Sequence, residues 1–287
     1  MLLTAIITLF LGFITPVVGR CGTRPPSDTV RALHVEAEVQ ENAANARRTL
    51  DRPIFGVTVN TYVHVIQPEG STVDLTARVL EQMSVLNTHF ANSNTGFRFN
   101  LISQQTIQND AWVNVVPSSA QELEMKSALR QGRYRDLNLY IVTIGNDPPL
   151  LGYATFPEQI PSQTTRSLDG VVIIPNSLPG GVAPYDLGLT GVHEVGHWLS
   201  LFHTFEPDPN STPETGCTGP GDYIIDTPAE DSPAYGCPAG RDSCPNQRGL
   251  DPITNYMDYT DDACMTHFTL GQGLRMRTLF ATLRSFV

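Results

Sequence analysis

His193-Glu194-Val195-Gly196-His197 sets two imidazoles at i and i+4, with a carboxylate beside the first, and His203 follows six residues later. Residues four apart share a helix face, so His193 and His197 can reach one cation. Imidazole nitrogens bind zinc at about 2.0–2.1 Å, and three protein ligands leave a fourth position open for water. Zinc acidifies such a water and polarises a carbonyl, while a neighbouring carboxylate takes the proton and passes it on. The pattern predicts hydrolysis, with His193, His197 and His203 holding one Zn2+ per chain and Glu194 as general base. His203 cannot lie on the same straight face, so the chain must turn before it. Leu189, Val192, Val195, Leu199, Leu201 and Phe202 fit a helix around the motif.

These residues belong to a chain of 287 residues with 18 basic and 29 acidic side chains, a formal charge of −11. Lysine occurs once, at Lys126. A chain so poor in cations argues against non-specific nucleic-acid binding and against docking on anionic membranes. With 40% hydrophobic and 16% charged residues it can bury a real core. Met1–Gly19 carries no charged side chain, is apolar from Leu2 to Ile14 and breaks at Pro16. Val17 and Gly19 suit a signal-peptidase site, so residues 1–19 read as a secretory signal peptide. No later stretch has the length of a membrane span. In an oxidising compartment Cys217, Cys237, Cys244 and Cys264 predict two disulfides, with three pairings open. Cys21 is left over.

Residues 20–50 read as a leader: a Pro-rich start, then a helix that Asp28 could cap. Gly56–Ile66 and Phe97–Ile107 alternate as strands, and Val73–Ser93 has helical spacing. Ser119–Arg130 is a second amphipathic helix with Ser119 as cap. Leu137–Ile144 and Gly170–Pro175 are β-branched runs typical of buried strands, and Gly152–Pro157 is a short strand. From Phe205 to Cys264 twelve acids face only Arg241 and Arg248. So long a loop region needs staples, and the four cysteines lie in it. A helix over Leu270–Phe286 closes the chain.

HEVGHWLSLFHTF (His193–Phe205) resembles the zinc motif of metzincins, in the version of the pappalysin-type members that include the extracellular metalloproteases secreted by fungi. The resemblance continues in GDYIIDTPAE (Gly221–Glu230) and NYMDYTDDACMTHFTLGQ (Asn255–Gln272). It implies an α+β fold in which residues 51–287 form the catalytic domain. An N-terminal subdomain to about residue 203 would hold a twisted mixed sheet and two long helices. A smaller, irregular subdomain, residues 204–287, would be stapled by disulfides, with substrate in the cleft between them. By resemblance Met257 is the Met-turn floor beneath the metal, and Tyr259 helps stabilise a tetrahedral intermediate. The implied pairing is Cys217–Cys244 and Cys237–Cys264. GYATFP (Gly152–Pro157) would be the edge strand that holds a protein or peptide substrate extended and antiparallel. Some relatives present a leader cysteine to the zinc, which gives Cys21 the role of a latency switch. Some bind calcium near Asp222, Asp226 and Thr227. Asn210-Ser211-Thr212 is a glycosylation sequon.

One position departs from the family pattern. Ser200 stands where the motif has a glycine of positive φ, at an expected cost of about 1–2 kcal/mol. The expected activity is a secreted zinc endopeptidase made as a latent precursor. The alternative is a catalytically weak or inactive zinc-binding secreted protein that binds other proteins.

Overall fold

The computed structural model describes residues 19–47, 56–146 and 148–284. Met1–Val18 of the expected signal peptide and the start of the expected catalytic domain, residues 51–55, lie outside the described residues.

Six strands form one mixed sheet in the order β1-β5-β6-β4-β2-β3. Strands β2 (Val57–Gln67) and β3 (Phe97–Gln108) pair in parallel through the connecting helix α2 (Thr76–Asn92). Their register slips at Thr61/Tyr62, where Ile102 is the extra residue. β4 (Leu137–Ile141) lies parallel to β2, and β6 (Val171–Ile173) parallel to β4. β5 (Leu150–Ala154) turns antiparallel on β6. Finally β1 (Gly19–Cys21) lies parallel on β5.

The period of two along these strands divides the core. Leu137, Leu139, Ile141, Val171 and Ile173 face α2 and α5 (Leu189–Trp198), where Val79, Met83, Leu86, Phe90, Val192 and Val195 close the main core. Tyr140 and Val172 face the other way, against Met125 of α3 (Ala120–Leu129). Helix α4 (Gln163–Leu168), which the sequence reading did not anticipate, packs on α3. The helix that carries the histidine motif, α5, has ten residues, after which the chain turns toward His203.

The acidic region after Phe205 holds no helix or strand until a single helical turn at Asp262–Cys264, and α6 (Leu270–Leu283) follows. Cys217 is joined to Cys244 and Cys237 to Cys264, each over 27 residues, so the two loops interleave. Many of its acids are buried rather than solvated. Arg241 donates to both Glu230 and Asp251 at 2.6 Å. Thr269 and Gln272 form a capping box at the start of α6.

The expected leader residues are part of this fold. Helix α1 (Asp28–Arg47) lies on α6 through Leu33, Ala37, Leu279 and Leu283. Its cap is Ser27, whose Oγ accepts from Val30 N at 3.3 Å; Asp28 is already helical. One expectation needs correction at the sheet margin. GYATFP does not form an edge, because the strand it contributes to, β5, is flanked by β1 on one side and β6 on the other. The leader occupies the edge that a substrate was expected to occupy. Among the described residues no helix is long and apolar enough to cross a membrane.

Candidate metal centre

Helix α5 places His193 and His197 one turn apart, both fully buried. Their Nδ1 atoms are engaged: His193 with the Tyr256 carbonyl at 2.6 Å, His197 with the Leu201 carbonyl at 2.7 Å. A carbonyl only accepts, so each Nδ1 carries the proton and each Nε2 keeps a lone pair. Those lone pairs point at one another. His197 Nε2 lies 3.1 Å from His193 Nε2 and 3.0 Å from His203 Nε2. Two acceptors cannot satisfy each other at that distance, whereas a cation between them satisfies all. Burial pulls the basicity of all three imidazoles down, His197 to about 4, so they are neutral and able to ligate. Cys21 Sγ completes the set, the four ligand atoms lying within 4.8 Å of one another. The donor set fits a metal ion.

The turn that delivers His203 is a Schellman motif. Ser200 N donates to the His197 carbonyl at 2.8 Å, and Leu201 N to the Gly196 carbonyl at 2.9 Å. Ser200 has a φ of 80°, the left-handed conformation that the motif's usual glycine adopts freely. Met257, expected as the floor, is fully buried against the same helix. A Cβ on Gly196 would stand 2.5 Å from Met257 Sδ, so the glycine inside the histidine motif lets the floor close against the helix. Gly152 plays the matching part on β5, where a Cβ would meet Glu194 Cγ at 2.9 Å.

Glu194 is buried, and burial pushes its carboxyl up to about 8, against hydrogen bonds from Cys21 and Thr23 that pull it down. Its Oε2 accepts from Thr23 Oγ1 at 3.1 Å and lies 3.4 Å from Cys21 Sγ. Its Oε1 has no partner. Tyr259 brings its hydroxyl within 3.1 Å of His203 Nε2 and donates to the Cys21 carbonyl at 3.4 Å.

Seven expected site residues thus meet at one point: His193, Glu194, His197, His203, Met257, Tyr259 and Cys21. The four disulfide cysteines and the exposed Asn210 lie in the acidic loops away from it. Near the suggested calcium site, Asp226 is engaged by Thr269 Oγ1 at 2.7 Å and Gly271 N at 2.9 Å. Asp222 is buried and accepts from Ile224 N at 3.0 Å; burial pushes its carboxyl up to about 8, against the Thr227 hydroxyl beside it.

Sequence reasoning missed the leader's anchors. Arg20 is fully buried and pairs with Asp262 Oδ1 at 3.2 Å, over the Tyr185 ring. Asp262 Oδ2 accepts from Leu187 N and Leu189 N, so the same carboxylate holds the start of α5. His34 stacks on Phe202 with ring centroids 3.9 Å apart and accepts from Arg275 at 2.9 Å. The adjacency of Arg20 and Thr23 to Cys21 was the one available signal.

The family model described as pregnancy-associated plasma protein-A, Peptidase_M43, matches residues 134–281. An extracellular metalloprotease of Pyricularia oryzae is 42% identical over 270 residues, 93% of this chain and 90% of that protein. Extracellular metalloprotease 1 of Coccidioides posadasii is also 42% identical, over 96% of this chain and 94% of that protein. Among solved structures, mature mirolysin of Tannerella forsythia with a cleaved peptide aligns with a TM-score of 0.64 at 33% identity, covering 79% of this chain and 93% of that one. A promirolysin mutant from the same organism aligns at 0.66 with 28% identity, covering 92% and 94%.

Proposed function

The chain belongs to the Peptidase_M43 family of pregnancy-associated plasma protein-A, and on that premise we propose how its residues divide the work. It is an extracellular metalloprotease that acts on peptides. The finer reading is a zinc endopeptidase with His193, His197 and His203 as ligands and Glu194 as general base. The observation that carries it is the convergence of three neutral Nε2 atoms beside a buried carboxylate with one free oxygen.

When bound there, zinc supplies Lewis acidity to the attacked carbonyl and acidifies the attacking water. Glu194 takes a proton from that water and returns it to the leaving amine. Tyr259 donates its hydroxyl to the developing oxyanion, a role supported by its place beside His203. The substrate lies extended along β5 once β1 has left, taking its backbone hydrogen bonds. Residues 1–19 serve as signal peptide and 20–50 as leader. Residues 51–287 form the catalytic domain, with the subdomain boundary near residue 203. Cys21 holds the precursor latent by ligating the metal through its thiolate. Asn210 is a glycan acceptor. A calcium ion is proposed near Asp222, Asp226 and Thr227, whose oxygens are the hard donors such a cation takes.

The test is cleavage of an unfolded protein by the leader-free enzyme, run beside Glu194→Ala, with metal analysis of both. Cleavage by wild type alone, at one zinc per chain in each, is the expected result. Equal cleavage by Glu194→Ala would overturn the assignment.

A further inference from the structure

The leader meets the catalytic centre with a second side chain besides its thiol. We propose that Thr23 is an independent arm of latency, occupying the general base and the substrate-binding strand while Cys21 occupies the metal. The proposal rests on the reading of Cys21 as the latency thiol.

The geometry is that of one hydroxyl serving two sites. Thr23 Oγ1 donates to Glu194 Oε2 at 3.1 Å. The same oxygen accepts from Ala154 N at 2.8 Å. The ladder explains why a side chain is needed. β1 ends at Cys21, and Gly22 N still donates to the Gly152 carbonyl at 2.8 Å. Beyond that point Ala154 N, at the end of β5, takes the Thr23 hydroxyl where continued pairing would offer a backbone carbonyl. A hydroxyl has one proton to donate and lone pairs to accept, so it can bridge a carboxylate and an amide at once. Thr23 N in turn donates to Cys21 Sγ at 3.3 Å, which ties the two arms into one short turn.

Two consequences follow for the reaction. Thr23 engages one of the two oxygens of the general base and pins the carboxylate against the leader. The amide at the end of β5 is closed to a substrate carbonyl. Loss of the thiol alone therefore leaves the base and the strand occupied.

The experiment uses the full-length precursor as wild type, Thr23→Val, Thr23→Ser and Cys21→Ser. One readout is cleavage of an unfolded protein. The other is the rate at which iodoacetamide alkylates Cys21 in metal-stripped precursor, for the variants that retain it. Cys21 is the one cysteine outside the disulfides, and its alkylation reports opening of the leader without any catalysis. Valine keeps the shape and loses both hydrogen bonds, and serine keeps both. Loss of two hydrogen bonds of ordinary strength shifts such an opening by about five- to a hundredfold. The expected result is a rise of that size in both readouts for Thr23→Val, with Thr23→Ser close to wild type. If Thr23→Val matches wild type while Cys21→Ser is active, the Thr23 arm is refuted and the thiol reading stands. If Thr23→Val opens and Cys21→Ser stays silent, the Thr23 arm holds the leader closed without the thiol, and the proposal stands. Equal opening in Thr23→Val and Thr23→Ser would assign the effect to packing and overturn the proposal.

Discussion

Ser200→Gly should stabilise the protein while leaving its activity unchanged. Ser200 is buried at the turn after α5 with a φ of 80°. A Cβ in that conformation costs about 1–2 kcal/mol. Glycine removes the strain but widens the unfolded ensemble, which returns about 0.4–1 kcal/mol. The difference leaves about 0.5–1 kcal/mol in favour of glycine. At about 2–4 °C per kcal/mol for a domain of this size, the melting temperature should rise by about 1–4 °C. The position of His203 is already set by the two hydrogen bonds of the turn, which glycine preserves. Cleavage rate and zinc content should therefore stay within about twofold of wild type, well under the tenfold that 1.36 kcal/mol would bring. Ser200→Ala is the control, since it keeps the Cβ and the strain. Thermal unfolding by circular dichroism, with metal and with chelator, reads the effect. A lower melting temperature for Ser200→Gly, or an equal rise for Ser200→Ala, would refute the reasoning.

Replacing Cys217 and Cys244 together by serine opens a loop of 27 residues. Loop-closure entropy predicts a loss of about 3.5 kcal/mol in denaturant unfolding; a loss under about 1 kcal/mol would show that the loop is held by other means. Gly196→Ala drives a methyl into Met257 Sδ and should cost about 1–3 kcal/mol. Adding Met257→Ala should recover part of that, and strictly additive losses would place the clash elsewhere. Glu230 accepts from Thr204 at 2.7 Å and Arg241 at 2.6 Å, and burial with the charge of Asp258 pushes its carboxyl from 4.5 up to about 8. The folded chain then holds a proton that the unfolded chain has lost, so this group's contribution falls as pH rises from about 4.5 to 8. Relative to Glu230→Gln, wild type should lose stability between pH 6.5 and 8, by at most about 1.4 kcal/mol per unit. A difference independent of pH would contradict the assignment.

The metal centre was legible because its spacing is local. An i, i+4 pair with a third histidine six residues on carries its geometry along one helix and one turn. The strands were legible for the same reason, since Leu137, Leu139 and Ile141 alternate with Asn138 and Tyr140. What escaped depends on partners far apart in the chain. Arg20 and Asp262 are 242 residues apart, and no pattern marks either as buried. Glu230 and Asp251 read only as two of twelve acids in a long loop region, yet both are enclosed around Arg241. Composition reports charge and is silent on which charges find a counterion. The edge role of Gly152–Pro157 came from the resemblance alone, and nothing local in the sequence marks Gly19–Cys21 as the strand that pairs with it.

The interleaved disulfides have a consequence for a protease that shares its surroundings with its own copies. The acidic region is long and free of helix or strand for most of its length, which is the kind of backbone a protease can unfold locally and engage. Any single cut between Cys217 and Cys264 leaves the fragments covalently joined. A cut before Cys237 is spanned by the first bridge, one after Cys244 by the second, and one between those two positions by both. Nicked enzyme keeps Met257 and Tyr259 attached to the histidine helix, so self-digestion in this region wounds the molecule without dismantling it.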